Sequence, residues 1–236
     1  MSAIILDTET HKLNGLPIEI AYMPTEIENG AVKIKKSSII QKYYSCGEPI
    51  SLSAMAIHHI LEEDIAGQPN CSAFQLPKNL IYTIGHNIRY DLDAISRAGV
   101  QVDRIKSICT LALSRKVWPN LERHNLTALS YALAEDKSVV RNLLKTAHSA
   151  STDILLTAGV LNRIVKEYGI KDMNSLYMLS EASLIPEYMP FGKHKGEPII
   201  TLKIKYIRWI LDIYSKENPI DTYLERALRN ALGERS

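Results

Sequence analysis

The chain begins with an apolar run, Ile4-Ile5-Leu6, that turns polar at once in Asp7-Thr8-Glu9-Thr10. Aliphatic residues packed this closely read as a strand buried on both faces, and the period of two sets Asp7 and Glu9 on one side of its end. After a turn over residues 10–15, residues 18–22 resume as a second strand interrupted by Glu19. Residues 32–40, alternating Val32 and Ile34 with Lys33 and Lys35, read as a third strand with one wet face. The three are expected to form an antiparallel meander. Residues 50–65 are helical in part, with Ser53 as the expected N-cap, and residues 67–77 read as surface connection.

Residues 79–84 form a fourth, apolar strand that stops at Gly85-His86-Asn87. A helix follows with Ile88, Leu92 and Ile95 at helical spacing and Asp91 on the flank of that stripe. His86 and Asn87 are expected to cap this helix. Residues 105–111 read as a fifth strand leading into a helix that ends at Trp118-Pro119, and Asn125 caps another carrying Leu126, Leu129 and Leu133. The strongest helical pattern spans residues 151–168, where Ile154, Leu155, Ala158, Leu161, Ile164 and Val165 make an apolar stripe. Ser151 is its expected N-cap, Gly169 its stop, and Asp153 stands in its first turn. Strands alternating with helices behind a meander predict an α/β domain over residues 1–168 with a mixed central sheet. Periodicity is weak across a linker at 169–190. A small, basic, mainly helical C-terminal module then occupies 191–236, with Ile207, Ile210, Leu211 and Tyr214, and later Leu224, Ala227, Leu228 and Ala231, at core spacing.

Composition narrows the function classes. With 236 residues, 46% hydrophobic and 23% charged, the chain is long enough for a substantial core. A net charge of +2 says little globally, but Lys33, Lys35, Lys36 and Lys42 form one basic block and Lys193, Lys195, Lys203, Lys205 and Arg208 another. No apolar run approaches membrane-spanning length and the N-terminus lacks signal-peptide character, so a cytoplasmic protein without a membrane partner is expected. Cys46, Cys71 and Cys109 are odd in number and widely spaced, which argues against a disulfide framework and a thiolate zinc site.

Four acids stand out by position: Asp7 and Glu9 at a strand end, Asp91 beside a buried stripe, and Asp153 in the first turn of a helix. Carboxylates without cysteine favour hard cations such as Mg²⁺ or Mn²⁺. Two such ions about 3.5–4 Å apart can clamp the attacking and leaving oxygens of phosphoryl transfer. Asp91 and Asp153 also read as acids that complement a helix dipole. Glu19 reads either as an acid that orients water beside a metal or as an edge-strand acid facing solvent. On a continuous helix, five residues place His148 roughly 140° from the face of Asp153, so cooperation between them puts His148 on the preceding loop.

Asp7-Thr8-Glu9-Thr10, His86-Asn87-Ile88-Arg89-Tyr90-Asp91, and His148 with Asp153 occur in the order of the DEDD (DnaQ-like) 3′ to 5′ exonucleases, whose histidine subclass the chain resembles. Ile18-Glu19-Ile20-Ala21, Ala54-Met55-Ala56-Ile57-His58, and residues 191–196 followed by Tyr206-Ile207 and Trp209 are similar to the exodeoxyribonuclease branch of that family. The resemblance implies a ribonuclease H-like fold in which Asp7, Glu9, Asp91 and Asp153 hold two Mg²⁺ ions, with Mn²⁺ as a substitute. It implies that His148 takes a proton from the attacking water, in keeping with an imidazole pKa near neutrality. It further implies that Thr8 and Thr10 contact the terminal nucleotide, that Leu13 wedges between the last two bases, and that His58, His86 and Asn87 border the nucleotide. Lys12 stands where relatives usually carry Gly, a departure that leaves the form of the turn open and adds a candidate phosphate contact. Lys193 and Lys195, within a glycine-bearing segment, are read as backbone phosphate contacts. The expected partner is DNA with a 3′ end, single- or double-stranded, in repair or end trimming. RNA ends are the alternative substrate, since discrimination rests on the 2′-hydroxyl, and an inactive nucleic-acid-binding module is the reading from another class.

Overall fold

Strand β1 (Ala3–Thr10) lies in the middle of a mixed sheet because Ile4, Ile5 and Leu6 are all fully buried, one set of side chains on each face. Burial of this kind stabilises by about 1.5–3 kcal/mol per aliphatic side chain. The computed structural model describes residues 2–144, 149–218, 220 and 222–233. Strand β2 (Pro17–Glu28) pairs antiparallel with β1, whereas β5 (Tyr82–Gly85) pairs parallel with its other edge and β6 (Lys106–Cys109) parallel with β5. The outer edge of β2 carries two short strands in tandem: β4 (Ile40–Tyr43) along Glu19 to Tyr22, and β3 (Ala31–Ile34) along Thr25 to Glu28. The third strand expected over 32–40 is therefore two strands. A 3-10 turn at Lys36–Ser38 breaks it, with Ser38 Oγ donating to the Lys35 carbonyl at 2.6 Å.

Two cores sandwich the sheet. On one face Ile4, Leu6, Ile18 and Ile20 pack with α1 (Leu52–His58), α2 (Glu62–Ile65) and α3 (Ile88–Arg97). On the other, Ile5, Ala21, Met23, Ile84 and Ile108 pack with α4 (Thr110–Val117), α5 (Leu126–Leu133) and the long α7 (Ala150–Tyr168). Between these last two runs α6 (Lys137–Leu144). Parity along β1 thus sends Asp7 and Glu9 to the α7 face and Thr8 to the α3 face.

Helix starts differ from expectation by two residues. Ser51, not Ser53, caps α1 by accepting from the Ala54 N–H at 3.2 Å, and Ser149, not Ser151, caps α7 by accepting from Thr152. Residues 173–183, weak in periodicity, form α8 (Met173–Ser183), capped by Asp172. Its Leu176 is fully buried and its Ser180 Oγ accepts from the Cys109 N–H at 2.9 Å, so α8 packs on the sheet. A third core, with Met189, Ile207, Ile210, Leu224 and Leu228, belongs to the C-terminal helices α9 (Ile204–Trp209), α10 (Ser215–Glu217) and α11 (Thr222–Gly233). No helix among the described residues is long and apolar enough to cross a membrane.

Candidate active site

The end of β1 gathers acids from three elements. Asp7 and Glu9 project from β1, and the first turn of α7 brings Asp153 to them. One oxygen of each lies within 4.8 Å of the others, a spacing at which a single cation can be held. The side chains of Asp7, Glu9 and Asp153 are partly exposed, so the cluster opens to solvent.

Asp91 completes the group from the opposite face. Its Oδ1 accepts from the Thr8 N–H at 2.9 Å and from the Thr8 hydroxyl at 2.8 Å, which locks α3 to the strand beside Asp7. The close approach of β5 to β1 at this end requires Gly85: a Cβ there would meet the Leu6 carbonyl oxygen at 2.9 Å. Asn87 follows with φ +69°, a left-handed conformation that Asn tolerates better than most residues, and the chain turns directly into α3.

The carboxylates perturb one another. Burial first, then the charges of Asp91, Asp153, Glu9 and Glu19, hold the Asp7 carboxyl well above the usual range. Glu9 is pushed up to about 8 by burial and then by Asp153, Glu19 and Asp91. Asp91 rises to about 7 because burial outweighs the two bonds from Thr8 that favour its charged form. Like charges in a partly dry site resist ionising together. A divalent cation removes the conflict by favouring every ionised form at once, so the donor set fits a hard metal ion.

Glu19 is the residue whose role the sequence leaves open. It stands directly across from Glu9 in the β1–β2 register, fully buried rather than facing solvent. Its Oε2 accepts from the Ala150 N–H at 3.0 Å, and its Oε1 accepts from the Gln41 side-chain amide. A carboxylate at the N-terminus of α7 satisfies an orphan amide and complements the helix dipole. Glu19 thereby fixes the turn that carries Asp153.

The remaining expected residues are distributed unevenly. Thr8 has both donors taken up by Asp91. Thr10 donates to the Lys12 carbonyl at 2.9 Å and lies 2.6 Å from the Tyr90 hydroxyl, so both brace the site. Leu13 is 80% exposed at the tip of the β1–β2 turn. The Ser51 N–H donates to the His11 carbonyl at 2.8 Å, bringing the start of α1 and its exposed Leu52 to the same turn. Lys12 pairs with Glu48 at 2.7 Å, and Glu48 also meets the buried His11 at 3.2 Å. His58 is buried, and that burial lowers its pKa against the opposing pull of the Thr10 backbone; its Nδ1 accepts from the Ile60 N–H at 3.0 Å, and its Nε2 meets the strict geometry of no hydrogen bond among the described residues.

His86 does not cap α3. Its ring nitrogens lie 3.0 Å from the Thr110 hydroxyl and 2.8 Å from the His124 carbonyl oxygen, and burial lowers its pKa to about 4. Asn87 occupies the N-cap position but makes no side-chain cap bond. Lys193 and Lys195 sit in the C-terminal module. Lys195 Nζ donates to the Glu122 carbonyl oxygen, and Lys193 Nζ lies 5.3 Å above the Tyr206 ring. His148 lies outside the described residues.

No family model matches the chain. It is 26% identical over 220 residues to Exodeoxyribonuclease 10 of Escherichia coli strain K12, covering 91% of this chain and 93% of that protein. It is 27% identical over 195 residues to DNA polymerase III subunit epsilon of Aquifex aeolicus, covering 75% of this chain and 89% of that one. In structure it is similar to exonuclease X in complex with 5′ overhanging duplex DNA, with a TM-score of 0.55 and 27% identity, covering 74% of this chain and 99% of that one. The sheet order and flanking helices are those of the ribonuclease H-like fold.

Proposed function

We infer that this chain, which is similar to the DnaQ-like 3′ to 5′ exonucleases and gathers acids at the end of β1, hydrolyses the terminal phosphodiester at DNA 3′ ends with two Mg²⁺ ions. The observation that carries this reading is the convergence of Asp7, Glu9 and Asp153 within 4.8 Å, with Asp91 fixed beside them. Support for DNA as substrate comes from the exodeoxyribonuclease relative and from the DNA-bound exonuclease X.

Asp7, Glu9, Asp91 and Asp153 would hold the ions, and Mn²⁺ suits the same oxygen donors. When bound, such ions supply Lewis acidity at the phosphate and compensate the charge of the cluster. The chain's own residues do the rest. Thr8 holds Asp91 in its rotamer, and Glu19 holds the helix that presents Asp153. His148 accepts the proton of the water that attacks phosphorus. The bond to the 3′ oxygen of the preceding nucleotide breaks, giving a nucleoside 5′-monophosphate and a strand shortened by one. Leu13, apolar and exposed at the turn beside the cluster, packs against the terminal bases.

Incubation of the chain with 5′-labelled single- and double-stranded DNA in Mg²⁺ tests the reading. A ladder of products shortened from the 3′ end is expected, absent in EDTA and reduced to the EDTA level in Asp7→Ala. Shortening from the other end, internal nicking, or equal cleavage in EDTA overturns it.

A further inference from the structure

The C-terminal module contains a groove that the acidic site does not use. A cavity of about 710 Å³ opens between the segment from Phe191 to His194 and the start of α9. Its walls are aromatic: Tyr206 and Trp209 stack at 5.8 Å between ring centres with planes 24° apart, and Phe191 and Tyr214 stack at 5.4 Å, 26° apart. Lys193, Lys203 and Lys205 stand around these rings, and none of the lining residues is a carboxylate. The nearby Glu197 is held on His194 at 2.9 Å.

Local backbone geometry builds the groove. Residues five apart on an α-helix stand roughly 140° from one another. After Trp209 the helix widens into a π turn (Ile210–Tyr214), where the Ser215 N–H bonds to the Ile210 carbonyl, five residues back. That wider turn brings residues five apart nearer to one face, and the Trp209 and Tyr214 rings meet at 5.4 Å. Gly192, at φ +70°, lets the facing segment close over this floor, since a Cβ there would lie 3.3 Å from the Tyr206 hydroxyl. Trp209 remains 42% exposed. The groove is tied to the α/β domain through Lys195 on the Glu122 carbonyl and through Lys116 on Glu187 at 2.5 Å.

We propose that this groove is a binding site for an unpaired DNA strand, with a base stacking on the exposed Trp209 ring, which Tyr206 backs, and the phosphates meeting Lys193, Lys203 and Lys205. Flat π faces beside ammonium groups match the alternation of base and phosphate along a single strand. A duplex offers the phosphates but hides the base faces. An acidic peptide offers the charge but no matching π faces. The site rests on the nucleic-acid reading of the acidic centre and adds to it a non-catalytic hold on the strand.

The test uses the full chain in EDTA, where the acidic centre does not turn over, and follows the anisotropy of a short fluorescein-labelled oligothymidine. Wild type binds it, and Trp209→Ala weakens binding by about tenfold or more. Lys203→Ala and Lys205→Ala, at exposed positions, each lower the salt slope of binding by about 0.7, and they decide the matter if Trp209→Ala does not fold. Unchanged affinity in a folded Trp209→Ala overturns the site. So do unchanged salt slopes in the lysine variants, a blunt duplex bound as tightly as the single strand, or displacement of the oligonucleotide by polyglutamate. Release of p-nitrophenol by wild type from thymidine 5′-p-nitrophenyl phosphate in Mn²⁺ reports on the hydrolytic reading separately. Absent strand binding with intact ester hydrolysis sinks the groove alone, and the reverse sinks the hydrolase reading alone.

Discussion

The strand-end acids and the C-terminal groove handle charge in opposite ways. At the end of β1, carboxylates crowd where burial raises their pKa values, and the charges acting on Asp7 and Glu9 are other carboxylates. In the groove, Lys203 and Lys205 stay in solvent around aromatic rings. The difference teaches what each region can bind. Crowded, desolvated acids create a strong, local demand for a compact cation, which suits chemistry at a fixed point. Exposed lysines are screened within about 10 Å at moderate salt, which suits salt-sensitive binding blind to sequence.

Separating chemistry from binding sharpens the contrast most. His148→Ala should reduce turnover on DNA by about 10²–10⁴-fold, the range for loss of a general base, while DNA affinity measured in Ca²⁺ stays near that of wild type. Single-turnover cleavage and anisotropy titration check the two halves. A wild-type rate would mean that another group accepts the proton, and affinity lost in parallel with rate would place His148 in strand binding instead.

Much of the acidic site is legible in the chain because it follows from strand parity and helix phase. The period of two through Ile5, Asp7 and Glu9 already sets both acids on one face, and the phase of α7 sets Asp153 in its first turn. Glu19 is not legible in this way: its partner Ala150 lies 131 positions away, and the same Glu on an open edge would face water. The N-caps are misread by two residues for a local reason. Ser51 and Ser53, like Ser149 and Ser151, offer the same hydroxyl, and their side chains lie 3.1 Å and 3.2 Å apart, so only backbone geometry chooses between them. Helix α8 escapes because tertiary packing, with Ser180 on the Cys109 amide, supplies what periodicity lacks. The residues of the groove are legible, but the groove is not, because only the fold sets the segment from Phe191 to His194 against Tyr206, Trp209 and Tyr214.

Glu19 offers the next test, since it is an acid of the same strand pair whose carboxylate is held by hydrogen bonds from Ala150 and Gln41, with burial still raising its pKa above the usual range. Glu19→Ala leaves the Ala150 amide without its buried acceptor, at a cost of about 1–3 kcal/mol in stability. It should also raise the metal concentration for half-maximal activity by about 10–100-fold, as for other groups that orient ligands. Glu19→Gln keeps an acceptor oxygen and should recover part of that loss. A purely structural role would lower the unfolding midpoint without moving the metal dependence, which titration of activity against Mn²⁺ distinguishes.

The smallest effect bears most directly on the claim of crowded acids. An unfolded carboxylate titrates at about 4, whereas burial first, and neighbouring acids after it, push Glu9 to about 8 in the fold. Between those values the folded, metal-free chain retains protons that the unfolded chain has released, so stability falls as pH rises. Below a pH of about 6.5 histidines mask this trend. Burial lowers the pKa values of His58, His86 and His124 in the fold, so they take up protons on unfolding and make stability rise with pH there. Between pH 7 and 8 the carboxylates therefore act with little opposition, and the thermal midpoint in EDTA should drop by roughly 2–4 °C for each kcal/mol lost. Mg²⁺ should restore it, and by more at pH 8 than at pH 6, because binding to the folded form alone adds stability in proportion to its affinity for ionised ligands. A midpoint in EDTA that stays level or climbs over that interval would mean that the strand-end acids ionise without conflict. They would then exert no more demand for a cation than any exposed group of carboxylates.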